Sequence, residues 1–220
     1  MKINIKRFLF YVLLGLFAQV SFGQTIFQGT FIIDPYYGFP NFGKFVISPS
    51  NVGESEYKVL GVGPWGVRME YLIDDKFGIT LDGIHNSAGF SLKNIPDFTL
   101  DDEGNLVSNE EEYRYKFMMN RLRFQVGLNY HFDFTEPMLD GYIGFAAGTN
   151  NRTWSLTSNE PNFENYDELK IIKDIFDFFR IPVSARLRFG GRYYFTDNFG
   201  VNLEFGLGGP VISTGLSIKI

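Results

Sequence analysis

The stretch IPVSARLRFGGRYYFTDNFGVNLEFGLGGPVISTGLSIKI, from Ile181 to Ile220, decides the fold. Alternate residues from Val183 (Val183, Ala185, Leu187, Phe189, Gly191, Tyr193 and Phe195) make one face. Ser184, Arg186, Arg188, Gly190, Arg192 and Tyr194 make the other. After a tight turn at Thr196-Asp197-Asn198, Val201, Leu203, Phe205 and Leu207 alternate with Asn202, Glu204, Gly206 and Gly208. Past Gly209-Pro210, Ile212, Thr214, Leu216, Ile218 and Ile220 alternate with Ser213, Gly215, Ser217 and Lys219. A period of two belongs to strands whose two faces meet different surroundings. Which face holds the charge then separates a soluble barrel from a membrane one.

The same alternation recurs upstream. Leu122, Phe124, Val126, Leu128, Tyr130 and Phe132 oppose Arg121, Arg123, Gln125, Asn129 and His131. Trp65, Val67, Met69, Tyr71 and Ile73 oppose Arg68 and Glu70, while Phe77, Ile79 and Leu81 oppose Gly78, Thr80 and Asp82. A first strand from about Phe27 to Tyr37 sets Phe31, Ile33 and Tyr37 against Thr30 and Asp34. A fifth, from Gly141 to about Trp154, is rich in Gly and Ala, and its facing stays open. The strands total eight. Their connections alternate: 39–63, 91–113 and 155–180 are long, whereas 74–76, 134–140 and 196–198 are short. In the second long loop, Phe98-Thr99-Leu100 and Leu106-Val107 flank Asp102-Glu103-Gly104-Asn105 and read as a small hairpin. In the third, Leu169, Ile172, Phe176 and Phe179 fall at helical spacing, which suits a short amphipathic helix over 167–179.

A chain of 220 residues suits one domain. Lys2, Lys6 and Arg7, the apolar run Phe8 to Ala18, and small Ser21 and Gly23 before Gln24 read as a cleaved secretory signal peptide over 1–23. That run is too short to span a bilayer core of about 30 Å. It leaves 24–220 as the barrel domain. Cleavage makes the chain three charges more negative than its formal −5, and with no basic cluster it is not expected to bind nucleic acid. There is no cysteine, so an exported chain needs another brace, and a closed hydrogen-bonded barrel is one. Aromatics at 18% and 24 glycines suit interfacial girdles and tightly curved walls.

Bulk chooses between the two inside-out arrangements. An eight-stranded bore is just wide enough to be filled by side chains or one small ligand. Phe124, Leu128, Tyr130, Leu187, Phe189, Tyr193, Leu203 and Phe205 together would overfill it. Facing outward, they form a lipid belt, on which an Arg or Lys would cost roughly 2–4 kcal/mol at the midplane. The expected fold is therefore all-β: an eight-stranded antiparallel up-and-down transmembrane β-barrel with short periplasmic turns and long outer loops. Leu122, Phe124, Val126, Leu128, Leu187, Phe189, Leu203 and Phe205 are expected to face lipid. Tyr71, Tyr130, Phe132, Tyr142, Tyr193 and Phe195 would make a girdle beside the short turns, and Tyr37, Trp65, Tyr115 and Trp154 one at the long-loop end. The lumen would hold an ion-pair cluster of Arg68, Glu70, Asp82, Arg121, Arg123, Arg186, Arg188, Arg192 and Glu204, with Asp34 and Lys219. Charges in so narrow a space must pair, so a polar plug is favoured over a conducting pore. The surplus of arginines leaves room for an anion such as a headgroup phosphate.

Tyr36-Tyr37-Gly38-Phe39-Pro40-Asn41, Phe195-Thr196-Asp197-Asn198-Phe199-Gly200 and Gly206-Leu207-Gly208-Gly209-Pro210 resemble a family of small outer-membrane β-barrel proteins from Bacteroidetes-type bacteria. The resemblance implies an eight-stranded barrel in the outer membrane and no catalytic residues. Many outer-membrane barrels end in Phe or Trp; this chain has Ile220, with Leu216 and Ile218 supplying the alternating apolar positions before it. Of its two histidines, His85 lies near Asp82 and Ser87, but the alternation puts Asp82 and His85 on opposite faces. No Gly-x-Ser-x-Gly, Walker or zinc spacing occurs, and the acidic run from Asp97 to Glu112 matches no EF-hand loop. No catalytic residue, cofactor or metal is expected.

The function expected is that of a non-enzymatic barrel in a Gram-negative outer membrane. It would contact outer-membrane lipid, the barrel-insertion machinery during biogenesis, and an envelope or extracellular partner through loops 39–63, 91–113 and 155–180. The alternatives are a narrow transport or ligand-binding barrel for a small or hydrophobic molecule and, behind it, a lipid-modifying barrel enzyme.

Overall fold

Alternation in sequence becomes alternation of burial along ten strands: β1 Phe31–Phe39, β2 Glu56–Leu60, β3 Trp65–Leu72, β4 Phe77–Leu100, β5 Leu106–Phe132, β6 Leu139–Thr149, β7 Asn151–Ser158, β8 Val183–Tyr194, β9 Phe199–Leu207 and β10 Ile212–Lys219. They come from a computed structural model that describes residues 26–41, 44, 56–100, 106–160 and 181–220. The signal segment 1–23 and the helical spacing at 167–179 lie outside the described residues. Neighbouring strands are antiparallel throughout, in the ring order β1-β3-β4-β5-β6-β8-β9-β10, and β1 pairs β10 with Ile33 opposite Ile218. The result is a closed antiparallel β-barrel of eight walls.

Ten strands make eight walls because β2 and β3 lie end to end along β4, as β6 and β7 do along β5. The first break needs glycine. Gly61 has φ +133°, and a Cβ there would sit 2.3 Å from the Ser87 carbonyl oxygen. Pairing resumes at once through Val62 and Ser87, each donating its N–H to the other's carbonyl at 3.2 and 2.9 Å.

Two sequence expectations are corrected. The long loop at 91–113 is in large part strand: β4 has 24 residues and β5 has 27, where roughly 9–11 cross a bilayer. The alternation was hidden there because the β4–β5 register shifts between Leu92 and Ile95 and again between Pro96 and Phe98. The ends of the other two long loops are likewise strand, as β2 and β7. Together β2-β4-β5-β7 form a four-stranded sheet rising beyond the barrel on the long-loop side. The facing of strand five is also settled. Tyr142, Gly144 and Ala146 face in, and Ile143, Phe145 and Ala147 face out. Gly144 is small where the Arg188 guanidinium from the neighbouring wall fills the space.

The outer surface is apolar. Leu122, Phe124, Val126, Leu128, Leu187, Phe189, Leu203 and Phe205 are all exposed. Along β5 the outward apolar positions run from Leu122 to Phe132. Ten rises of about 3.3 Å, tilted by about 40°, project to about 25 Å, the height of a membrane belt. Tyr71, Tyr130, Phe132 and Tyr193 are exposed near the short turns, and Tyr37 and Trp65 at the opposite end. Beyond Leu122 the polarity reverses. Outward residues, Met118 apart, become polar at Asn120, Lys116 and Arg114, while the inner face carries Phe117 and, across the sheet, Phe90 and Trp154. At the short-turn end, Ile26, Ile32 and Leu72 form a small apolar floor.

A Cβ on Gly144 would lie 2.0 Å from Asn129 Oδ1 and 2.8 Å from Arg188 Nε. Gly144→Leu should therefore lose about 1–3 kcal/mol or more in urea unfolding from detergent micelles. Ala147→Leu, three residues along but outward, should be close to neutral. Equal losses would contradict the assigned facing.

Candidate functional site

The inward half of each strand is charged, and the bore brings these groups into contact. Among the described residues, Asp34, Glu70, Asp82, Asp140 and Glu204 are buried, as are Arg68, Arg123, Arg186, Arg188 and Arg192. Arg192 on β8 donates from Nη1 to Asp140 Oδ2 at 2.6 Å and from Nη2 to Asp34 Oδ2 at 2.8 Å. It also pairs with Glu70 on β3, the wall diametrically opposite in the ring. Arg68 donates to Asp34 Oδ2 from Nη2 at 2.9 Å and pairs across the bore with Glu204 on β9. Arg186 donates to Asp82 Oδ2 at 3.0 Å and to Glu204 Oε1 at 2.5 Å. Ser217 on β10 donates its hydroxyl to Asp34 Oδ1 at 2.6 Å. Every one of the eight walls contributes a group.

Neutral groups complete the network. Tyr142, placed in the interfacial girdle on sequence grounds, is fully buried in the lumen instead. Its hydroxyl donates to Glu204 Oε2 at 2.8 Å, and its ring lies under the guanidinium groups of Arg68 and Arg192, 5.1 and 4.5 Å from their central carbons. The inward parity it shares with Gly144 and Ala146 outweighs an aromatic's preference for the interface. Tyr36 donates to Asp82 Oδ1 at 2.7 Å. His131 sits between two carboxylates, with Nδ1 2.7 Å from Asp140 Oδ1 and Nε2 3.0 Å from Glu70 Oε1. Only the imidazolium form donates to both. Arg188 differs from Arg68, Arg186 and Arg192 in that its hydrogen bonds go to neutral groups. It donates to neutral Asn129 Oδ1 at 2.9 Å and Thr80 Oγ1 at 2.6 Å, with Asp82 at 3.8 Å.

Asp140, Tyr36 and Tyr142 were missed as lumen groups because they sit in or beside segments that read as turn or girdle. Tyr36 shares the inward parity of Asp34 on β1; for Asp140 and Tyr142 the signal is register. Pairing β5 with β6 across the short turn sets His131 opposite Tyr142, with Asp140 next on the same face. Arg121, assigned to the ion-pair cluster, stands above it, half-buried, and donates from Nε to Asn150 Oδ1 at 2.6 Å. Lys219 lies over the Tyr194 ring at 4.9 Å. The possible trio near strand three does not assemble. Asp82 is in the lumen, His85 packs outside against Trp65 with centroids 5.5 Å apart, and Ser87 Oγ accepts from Val62 N–H. Among the described residues, no group of His, Cys, Asp and Glu could hold a metal ion.

Removing one partner from a buried pair leaves the others charged and dehydrated. Arg192→Leu, which takes one cation from each of Asp34, Glu70 and Asp140, should cost about 3–5 kcal/mol in urea unfolding. Arg188→Leu should cost less than half as much, because its hydrogen bonds go to neutral groups. Equal costs would mean that the carboxylates are compensated some other way.

No protein-family profile and no curated protein sequence matches the chain. Solved structures do. The outer membrane protein OprG of Pseudomonas aeruginosa is 12% identical with TM-score 0.45, covering 90% of this chain and 99% of its own. The N-terminal β-barrel domain of OprF from the same organism is 11% identical with TM-score 0.39, covering 89% and 100%. Ail, the attachment invasion locus protein of Yersinia pestis, was solved with the heparin analogue sucrose octasulfate. It is 11% identical with TM-score 0.37, covering 87% and 96%.

Proposed function

We propose that the chain is a non-enzymatic barrel of a Gram-negative outer membrane, exported by the signal segment 1–23 and folded there by the barrel-insertion machinery. The observation that carries this reading is the reversal of polarity along β5. From Leu122 to Phe132 the outward face is apolar and the inward face charged or polar; from Asn120 back to Arg114 the outward face, Met118 apart, turns polar, and the inward face carries Met119, Phe117 and Tyr115. A wall surrounded by one solvent has no reason to reverse. A wall that leaves hydrocarbon for water does. The turn motifs that resemble Bacteroidetes-type barrels agree with the same setting.

Cross-bore bonds such as those of Arg192 and Arg68 fill the lumen, which supports an envelope or partner-contacting role over conduction. Contact with an envelope or extracellular partner falls to the β2-β4-β5-β7 sheet, which rises past the belt, and to the segments 39–63, 91–113 and 155–180.

Leu187→Arg, on the belt, should abolish recovery of the folded, heat-modifiable form from membrane fractions far more than Ser184→Arg at the inward position three residues before it. The cost on the lipid side is about 2–4 kcal/mol at the midplane. Recovery of the unmodified protein as a soluble species without detergent would overturn the placement. In planar bilayers the full chain should pass no steady current; a substrate-dependent current would move the reading to a narrow transport barrel.

A further inference from the structure

The inner network is balanced without help from above. Asp34, Glu70, Asp82, Asp140 and Glu204 are matched by Arg68, Arg186, Arg188, Arg192 and His131 held between two carboxylates. Two more guanidinium groups stand at the long-loop end of the bore. Arg121 and Arg123 are two residues apart on β5 and so share its inward face. Their hydrogen bonds go to neutral acceptors: Arg121 to Asn150 Oδ1 at 2.6 Å, Arg123 to the Gly208 carbonyl at 2.7 Å and to Asn86 Oδ1 at 3.3 Å. Arg123 is only 4% exposed, and its Nε has no hydrogen-bond partner.

A dehydrated cation such as Arg123, held by neutral acceptors, is unfavourable unless an anion joins it. The flanking chemistry narrows the choice. On the same inner face above the arginines, Phe90 stacks on Phe117 and Phe117 lies against Trp154, each pair with centroids 5.5 Å apart. We propose that Arg121 and Arg123 bind a phosphate-type oxyanion arriving from the long-loop side, with any organic part of the ligand lying against the aromatic face. Guanidinium groups present paired donors that suit phosphate oxygens better than a single ammonium would. Half-buried Arg121 is the entry point; Arg123 is the base of the site. The assignment does not depend on what the outer sheet contacts, and its failure would leave the membrane placement untouched.

Two preparations separate the sources of phosphate. The full chain folded in uncharged detergent micelles is titrated calorimetrically with inorganic phosphate. The same chain in phosphatidylcholine nanodiscs, with and without phosphatidic acid, is assayed for retained lipid by native mass spectrometry. Saturable binding is expected in at least one arm: in micelles it identifies free phosphate, and in discs alone a lipid headgroup. Arg121→Gln should weaken it by about tenfold or more, while Arg114→Gln, on the exposed outward face of the same strand, should leave it unchanged. Arg121→Lys keeps the charge, should lose only part of the binding, and serves if the Gln variant fails to fold. Absence of saturable binding in both arms, or equal effects of the Arg121 and Arg114 variants, would overturn the proposal.

Discussion

Charged side chains in a bore too narrow for bulk water have to find one another, and that requirement shapes the rest of the barrel. Arg192 reaches the diametrically opposite wall, and Arg68 and Arg186 each bridge two carboxylates. Such reach is possible only where the intervening positions are small. A Cβ on Gly190 would meet the Tyr142 ring at 2.7 Å, and one on Gly78 would meet Glu70 Oε1 at 2.3 Å. The stability gained is smaller than the number of bonds suggests, since dehydrating the ions offsets much of the Coulomb attraction. What the network fixes most firmly is register. A slip of one residue in β8 would carry Arg186, Arg188 and Arg192 onto the apolar face.

The same β-sheet serves two surroundings in succession. In the belt, the hydrogen-bonded backbone is sealed in a ring while apolar side chains face outward. Past the belt, β4 and β5 continue with β2 and β7 as flanking strands, and the apolar side turns inward. Tyr57, Phe90, Phe117 and Trp154 form a chain of ring contacts across those four strands, with centroid separations of 5.5–5.6 Å. The sheet thus stands above the barrel with a polar outer face and an aromatic inner one, and the uncompensated arginines lie where the two regimes meet.

Strand facing was legible because a period of two needs only the identities of consecutive residues. It placed Arg68, Glu70, Asp82, Arg186, Arg188, Arg192 and Glu204 on inward positions before any partner was known. What it could not reach was anything set by pairing between strands. Asp140 read as turn, and its role follows from the β5–β6 register. Tyr142 read as interface because aromatic residues are common there, yet its parity with Gly144 sends it inward. The reach of β4 and β5 was hidden by register shifts near Pro96, which break the alternation without ending the strand. The arginine surplus was visible in the sequence, but its location at one end of the bore required Asp140 and His131 to be counted in the balance.

The central claim is that the lumen charges act as one unit. A double-mutant cycle on Arg192→Leu and Asp34→Leu, read by equilibrium urea unfolding in detergent micelles, measures that directly. The expected coupling is about 2 kcal/mol or more, with the double variant more stable than the sum of the single losses implies. Simple additivity would contradict it.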